Sequence, residues 1–423
     1  MKNIIIVLLS LVFLLTPTLT KAEGEISLTL DEAIGFALRQ NRNVLLKAEE
    51  VEKSKKKVRE AQSGLFPTLN FTATTSDTIG LYSKDLIQTS TQATVKQYLF
   101  KGGKTIKTIK QNQYEQEISQ ALLDKTKLET ALDVKKTFYT LLLADEFADV
   151  NKGILENTKE HLEFVLVSYQ NGQASQSEIL KIQQSLTSVQ EAYEVSSNQI
   201  QTSQALLNNL LYFDQNTKIK PNAEFTYEPA QALYDEEFLK AMQNRPEIRQ
   251  YEAQVNADKK AIEIAKADTR PNIYASWDYY SRSRTSLSFS PTKGWQDYNI
   301  VGVTFSWPIF DGWATKAKVE QAIVDLKETR LLKEQAIADI ALELKKAYLD
   351  LKNAISKIKS SQADIEVYKD KLAVAEEKYK QGIISSLDLS DASLGYDIAI
   401  FNEAQAIYDY IIAKARLEKA TGG

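Results

Sequence analysis

Two short stretches constrain this chain more than anything else in it. One is Tyr169-Gln-Asn-Gly172-Gln-Ala-Ser-Gln-Ser-Glu178. The other, 210 positions later, is Tyr379-Lys-Gln-Gly382-Ile-Ile-Ser-Ser-Leu-Asp388-Leu-Ser-Asp391. Each follows a long helical pattern. Glycine suits the left-handed residue that closes a helix C-terminus, and the Ser and Asp/Glu residues that follow suit the start of the next helix. Each stretch therefore predicts the tip of two long antiparallel helices. Two such tips in one chain predict an internal duplication.

The rest of the chain follows that duplication. Residues 31–41 read as a short amphipathic helix, and a charged helix runs from about Val44 to Ser63 until Gly64 and Pro67 stop it. Leu69, Phe71 and Ala73 then alternate with Asn70, Thr72 and Thr74, as in a strand with one apolar face. A second strand, about Ala93 to Phe100, ends at Gly102-Gly103. From Lys104 to Gln170 there is no proline, which predicts a helix of about 100 Å. The return helix is placed from about Ser177 to Tyr212. The pattern restarts after a connector over 213–233 that carries Pro221 and Pro229. Arg270-Pro271 echoes Phe66-Pro67, and Pro308-Ile-Phe310-Asp-Gly312 echoes Tyr98-Leu-Phe100-Lys-Gly102. Strands are expected at about 271–282 and 299–308, a long helix from about Thr315 to Lys380, and a last helix from about Leu387 to Thr421. Ile337, Ile340, Leu344, Ala347, Leu351, Ala354 and Ile358 are spaced alternately three and four apart, a coiled-coil seam.

The domain plan is thus a first repeat over 23–212, the connector, and a second repeat over 234–421. Residues 1–22 read as a signal peptide: Lys2, an apolar run from Ile4 to Leu15, and a small residue at Ala22. Its removal would take the net charge from −4 to −6. No later segment is apolar enough for a membrane helix. Any membrane entry is expected to be through a β-barrel.

Several chemistries are set aside. There is no cysteine and only one histidine, His161, so neither a thiol nor a transition-metal site is expected. His161 reads as a surface or interface residue of a helix. Phe100-Lys-Gly-Gly103-Lys104-Thr105 resembles the end of a phosphate loop, but the first glycine that loop needs would stand at Tyr98. The basic run from Lys53 to Arg59 is interleaved with glutamates and reads as a solvated face. With the acidic net charge, it gives no reason to expect nucleic acid. No catalytic constellation, cofactor site or metal site is expected.

Four strands per chain leave two open edges, which lipid does not tolerate. Three chains would supply twelve strands, enough to close a barrel. The expected architecture is therefore mainly α with a small β part. Long antiparallel coiled-coil hairpins form a periplasmic α-barrel, and four strands per chain complete a twelve-stranded transmembrane β-barrel in a homotrimer.

With its duplicated order of helices and strands, its strand-opening prolines, its Gly-ended second strands and its Tyr-x-x-Gly tips, the stretch from about 28 to 421 resembles the TolC family of outer-membrane efflux proteins. The resemblance implies a non-enzymatic trimeric exit duct of a Gram-negative cell. The duct would sit in outer-membrane lipid and extend into the periplasm, as part of a tripartite efflux or type I secretion system. It implies that the helical tips, at Gly172 and Gly382, dock onto a periplasmic adaptor and an inner-membrane pump. It also implies that Asp388 and Asp391 ring the pore, with Glu178 in the matching place of the first copy, and that Tyr379 helps tie the closed tips together, with Tyr169 its counterpart. Where family members often carry an arginine two residues after the second tip glycine, this chain has Ile384. The plainer readings are that Asp388 and Asp391 are first-turn helix acids and that the tyrosines only pack. The alternative for the whole chain is a pore-less periplasmic coiled-coil scaffold.

Overall fold

The computed structural model describes residues 26–78, 86–229, 233–283 and 295–423. The expected signal peptide, 1–22, lies outside the described residues. The elements in chain order are β1 (Ile26–Leu28), α1 (Leu30–Gln40), α2 (Arg42–Ser63), β2 (Thr68–Thr78), β3 (Leu86–Lys101), α3 (Lys104–Gln170), α4 (Gln176–Leu211) and β4 (Ile219–Pro221), followed by α5 (Tyr234–Asn244), α6 (Pro246–Ala267), β5 (Asn272–Ser283), β6 (Trp295–Ser306), α7 (Ala314–Lys380) and α8 (Ser386–Thr421). α3 and α7 are each 67 residues long, and α4 and α8 each 36. The chain divides into two compact units, and each takes segments from both halves of the sequence.

The first unit holds the described residues up to Ala37, Val134–Phe225 and Glu366–Ala404. Its core gathers Ala33 and Ala37 of α1, Val134, Phe138 and Leu141 of α3, and Leu207 and Leu211 of α4 around Leu28 and Ile219. The last two come from β1 and β4, a parallel pair not foreseen in the sequence. Three-residue strands carry too little alternation to read, and their pairing joins segments nearly two hundred residues apart. Buried Asn208 explains how the chain turns there. Its Nδ2 donates to the carbonyls of Gln215 (3.1 Å) and Thr217 (2.9 Å), while Tyr212 takes the left-handed conformation that ends α4. In the same unit, α8 lies along α3, with the rings of Phe147 and Phe401 5.1 Å apart.

The second unit holds Leu38–Asp133, Thr226–Ile365 and Gln405–Gly423. Here α7 and α8 run antiparallel, joined by Lys357–Asp409 at 2.6 Å and Arg416–Asp350 at 3.9 Å. Of the seam residues, Ile340, Leu344, Ala347, Leu351, Ala354 and Ile358 are buried, as the three-four spacing predicts, and Ile337 is half-buried. Buried Arg245 opens α6. It donates to Glu343 at 2.7 Å and to the Lys419 carbonyl at 3.1 Å, while Lys419 reaches Glu343 at 2.6 Å. This charged knot pins the end of α8.

The sheet of this unit runs β2-β3-β5-β6, antiparallel throughout. Its strands are longer or begin earlier than the sequence suggests. β3 starts at Leu86 rather than near Ala93, and β6 at Trp295 rather than near Asn299. The added residues mix polar ones such as Gln88, Ser90 and Gln296 with Leu86, Ile87 and Trp295, and so give no regular apolar alternation but still pair through the backbone. The apolar face is bare: Phe71 is 72%, Val301 79% and Val303 69% exposed. Gly102-Gly103, both at positive φ, turn β3 into α3. A Cβ on Gly102 would lie 2.7 Å from the Ala267 carbonyl oxygen, so only glycine fits. That turn is held by Arg270 donating to the Gly102 carbonyl at 3.0 Å and by Lys104–Asp268 at 2.7 Å. The glycine pair thus has a packing role in place of the phosphate-loop one.

Candidate functional site

Both tips lie in the first unit and share one construction. α3 ends in a left-handed Gly172 (φ 75°), whose N–H donates to Tyr169 O at 2.9 Å, with Gln173 N–H reaching Ser168 O at 2.8 Å. α7 ends identically: Gly382 (φ 71°) donates to Tyr379 O at 2.9 Å and Ile383 N–H to Lys378 O at 2.9 Å. This paired closure needs positive φ at the glycine, which a side chain would resist.

Three residues on, each next helix opens with a reciprocal cap. Ser175 Oγ accepts from Glu178 N at 3.3 Å, and Glu178 Oε2 accepts from Ser175 N at 2.7 Å. At the second tip Ser385 Oγ accepts from Asp388 N at 3.2 Å, and Asp388 Oδ2 accepts from Ser385 N at 2.9 Å and from its hydroxyl at 2.7 Å. Glu178 and Asp388 are thus the third residues of capping boxes, where a carboxylate also meets the positive end of the helix dipole. The first-turn reading of Asp388 and Asp391 therefore holds for Asp388, whereas Asp391 lies beyond the first turn of α8. Glu178 and Asp388 both remain exposed.

Within one chain the Asp388 carboxyl lies below its ordinary range. The Ser385 hydroxyl is the largest cause, then the Ser385 amide, with desolvation opposing them and a smaller electrostatic contribution from His161. Crowding in a ring of copies would push the other way.

Asp391 accepts from Asn157 Nδ2 at 3.3 Å. Asn157 is buried, and His161 stands one turn further along the same helix, α3. The structure therefore brings Asp391 of the second tip against Asn157, across 234 residues of sequence. Nothing in the sequence around Asn157 signals this contact. Its partner is set by which helices pack side by side. Tyr169 and Tyr379 are 46% and 44% exposed, so within one chain neither is consumed by packing. Ile384, in the place of the arginine, is partly buried. Among the described residues no group of side chains is arranged to hold a metal ion, and no helix is long and apolar enough to cross a membrane.

The family described as outer membrane efflux protein matches residues 33–211 and 239–423 of this chain. Among curated proteins, the chain is 23% identical over 184 residues to the alkaline protease secretion protein AprF of Pseudomonas aeruginosa, covering 43% of this chain and 37% of that one. It is 25% identical over 183 residues to protein CyaE of Bordetella pertussis, covering 42% and 38%. These alignments span less than two fifths of the relatives' own lengths. Among solved structures, the fold is similar to the Campylobacter jejuni CmeC outer membrane channel, with a TM-score of 0.80 at 18% identity over 93% of this chain and 85% of that one.

Proposed function

This chain belongs to the outer membrane efflux protein family, and on that premise we propose that three copies assemble into an outer-membrane exit duct for efflux or secretion. The observation that carries this is the four-stranded sheet. One of its faces is apolar and bare, and among the described residues its outer strands β2 and β6 have no further strand beside them. Strand directions alternate across the four, so β6 of one copy would meet β2 of the next antiparallel, and three copies close twelve strands with no edge left over. In this reading the sequence repeats 23–212 and 234–421 each supply two strands and one helical hairpin.

The gate in this proposal is at the tips. Asp388 and Asp391 of three copies place six carboxylates around the entrance, with Glu178 as the counterpart of the first tip, and such rings concentrate cations. The exposed Tyr169 and Tyr379 would pack between copies. Gly172 and Gly382 form the ends that a periplasmic adaptor engages, linking the duct to an inner-membrane pump. Opening is a repacking of the tip helices between two arrangements. Conduction is passive, so no cofactor enters.

The test is conductance across a planar bilayer. Wild-type trimer should give small cation-preferring currents, and Asp388→Ala/Asp391→Ala should enlarge them or weaken that preference. Currents untouched by the double substitution would move the gate to Glu178. A folded, water-soluble monomer with no channel activity would return the chain to the scaffold reading.

A further inference from the structure

The face of the sheet opposite the apolar one carries a charge pattern that the gate does not use. In antiparallel strands, directly paired residues share a face, and so do alternate residues along a strand. The register pairs Leu69 with Val95, Val95 with Trp277, and Trp277 with Val301, which defines the apolar face. By the same register Lys96 (paired with Ser276), Asp278 (paired with Thr94) and Arg282 (paired with Ser90) lie on the other face. Lys101 joins them, because the irregularity between Tyr98 and Phe100 shifts the register before it pairs with Asn272. All three cations of the four strands are on this face, against one anion there, Asp278, a net of +2 on this face in each chain, while the strands' other acids, Asp77 and Asp297, lie on the opposite face.

These cations rest on aromatic rings. Lys96 Nζ is 3.8 Å from the centroid of Tyr274 and 4.9 Å from that of Tyr98, and Lys101 Nζ is 4.5 Å from Tyr98. Arg282 lies over Tyr280 and Tyr298, whose rings stack 5.0 Å apart. Asp278 is engaged by neutral donors, Thr94 at 2.5 Å and Gln92 at 3.1 Å, and none of the three cations forms an ion pair among the described residues. A cation held on a ring keeps its field, whereas one paired with a carboxylate loses it. The rings also offer flat surfaces to a passing aromatic group.

We propose that this face lines the duct as an anion-selecting passage whose cargo class is small organic anions, aromatic carboxylates above all. Each carboxylate meets Lys96, Lys101 or Arg282, and its ring slides along the tyrosines. The inference rests on the duct reading, since only a closed barrel turns this face into a lumen. It gives the sheet a selectivity opposite in sign to that of the tip acids.

The experiment uses the full-length trimer carrying Glu178→Gln/Asp388→Asn/Asp391→Asn, so that the tip acids no longer select. Reversal potentials are measured in a potassium chloride gradient, and again with benzoate replacing chloride. The expected result is an anion-to-cation permeability ratio above one. Lys96→Gln/Lys101→Gln/Arg282→Gln should lower it about threefold or more, and Lys96→Arg/Lys101→Arg should preserve it. A conducting channel whose ratio ignores the three Gln substitutions would overturn the inference and leave the duct intact. A correctly folded protein that never conducts would remove the duct reading, and this inference with it.

Discussion

At the scale of single residues, the acids of the second tip serve two purposes that can be separated. Asp388 caps α8 through Ser385 and also stands exposed at the proposed entrance. Asp388→Asn keeps an acceptor for the Ser385 amide but loses the charge. It should shift ion selectivity while leaving the melting temperature nearly unchanged. Ser385→Ala should do the reverse, costing about 1 kcal/mol of local helix stability without altering selectivity. Parallel reversal potentials and thermal melts by circular dichroism decide between these outcomes. Glu263 offers a pH test in the second unit. Hydrogen bonds from Lys107 and then Lys260 hold its carboxyl down to about 2, against an ordinary 4.5. A carboxyl depressed on folding adds stability that is complete above its unfolded value and lost as pH falls through the folded one. Wild-type melting temperature should therefore decline between about 4.5 and about 2, and Glu263→Gln should flatten part of that decline. The tip glycines and the capping Ser–acid spacing were legible in the sequence, because caps are local. The Asn157–Asp391 contact was not, because it depends on α3 lying beside α8.

At the scale of elements, helix lengths followed from the absence of breakers. α3 matches its sequence reading at both ends, since Gly103 and Gly172 bracket a run without proline. The seam of α7 was legible for the same reason: a strict three-four spacing has one buried solution. The core of the first unit was not legible as a cluster, because Phe138 and Leu141 of α3, Leu207 of α4 and Leu28 of β1 meet only in the folded chain. Phe138 has no exposed surface. Phe138→Ala should cost about 3–5 kcal/mol through lost burial and an unfilled cavity. Denaturant unfolding followed by helical circular dichroism in detergent is the measurement, and a loss below about 1 kcal/mol would mean that the site collapses around the gap.

At the scale of the whole molecule, the open sheet asks for other copies and for lipid. Val303 is 69% exposed on the apolar face of the edge strand β6. Val303→Arg should reduce the stability of the inserted protein by about 2–4 kcal/mol if it lies near the bilayer midplane. Folding titrations into lipid vesicles measure this, and an arginine tolerated at no cost would place that face away from lipid. The apolar alternation of β2 made this face readable in advance. The extent of β3 and β6 was not readable, because their added residues pair through backbone groups that every residue type carries.

Sequence by itself determined the two glycine-closed helix ends, the long breaker-free helices and the one-sided strands. Each depends on a local rule: glycine's conformational freedom, capping spacing, or hydrophobic period. Only the tertiary structure decided which helices lie together, and so which side chains face the second tip's acids. It also settled the parallel β1–β4 pair and the register that gathers Lys96, Lys101 and Arg282 on a single face. Those contacts join residues tens to hundreds of positions apart. Their free energy comes from burial and backbone pairing shared by many residues, so no short stretch carries the information alone.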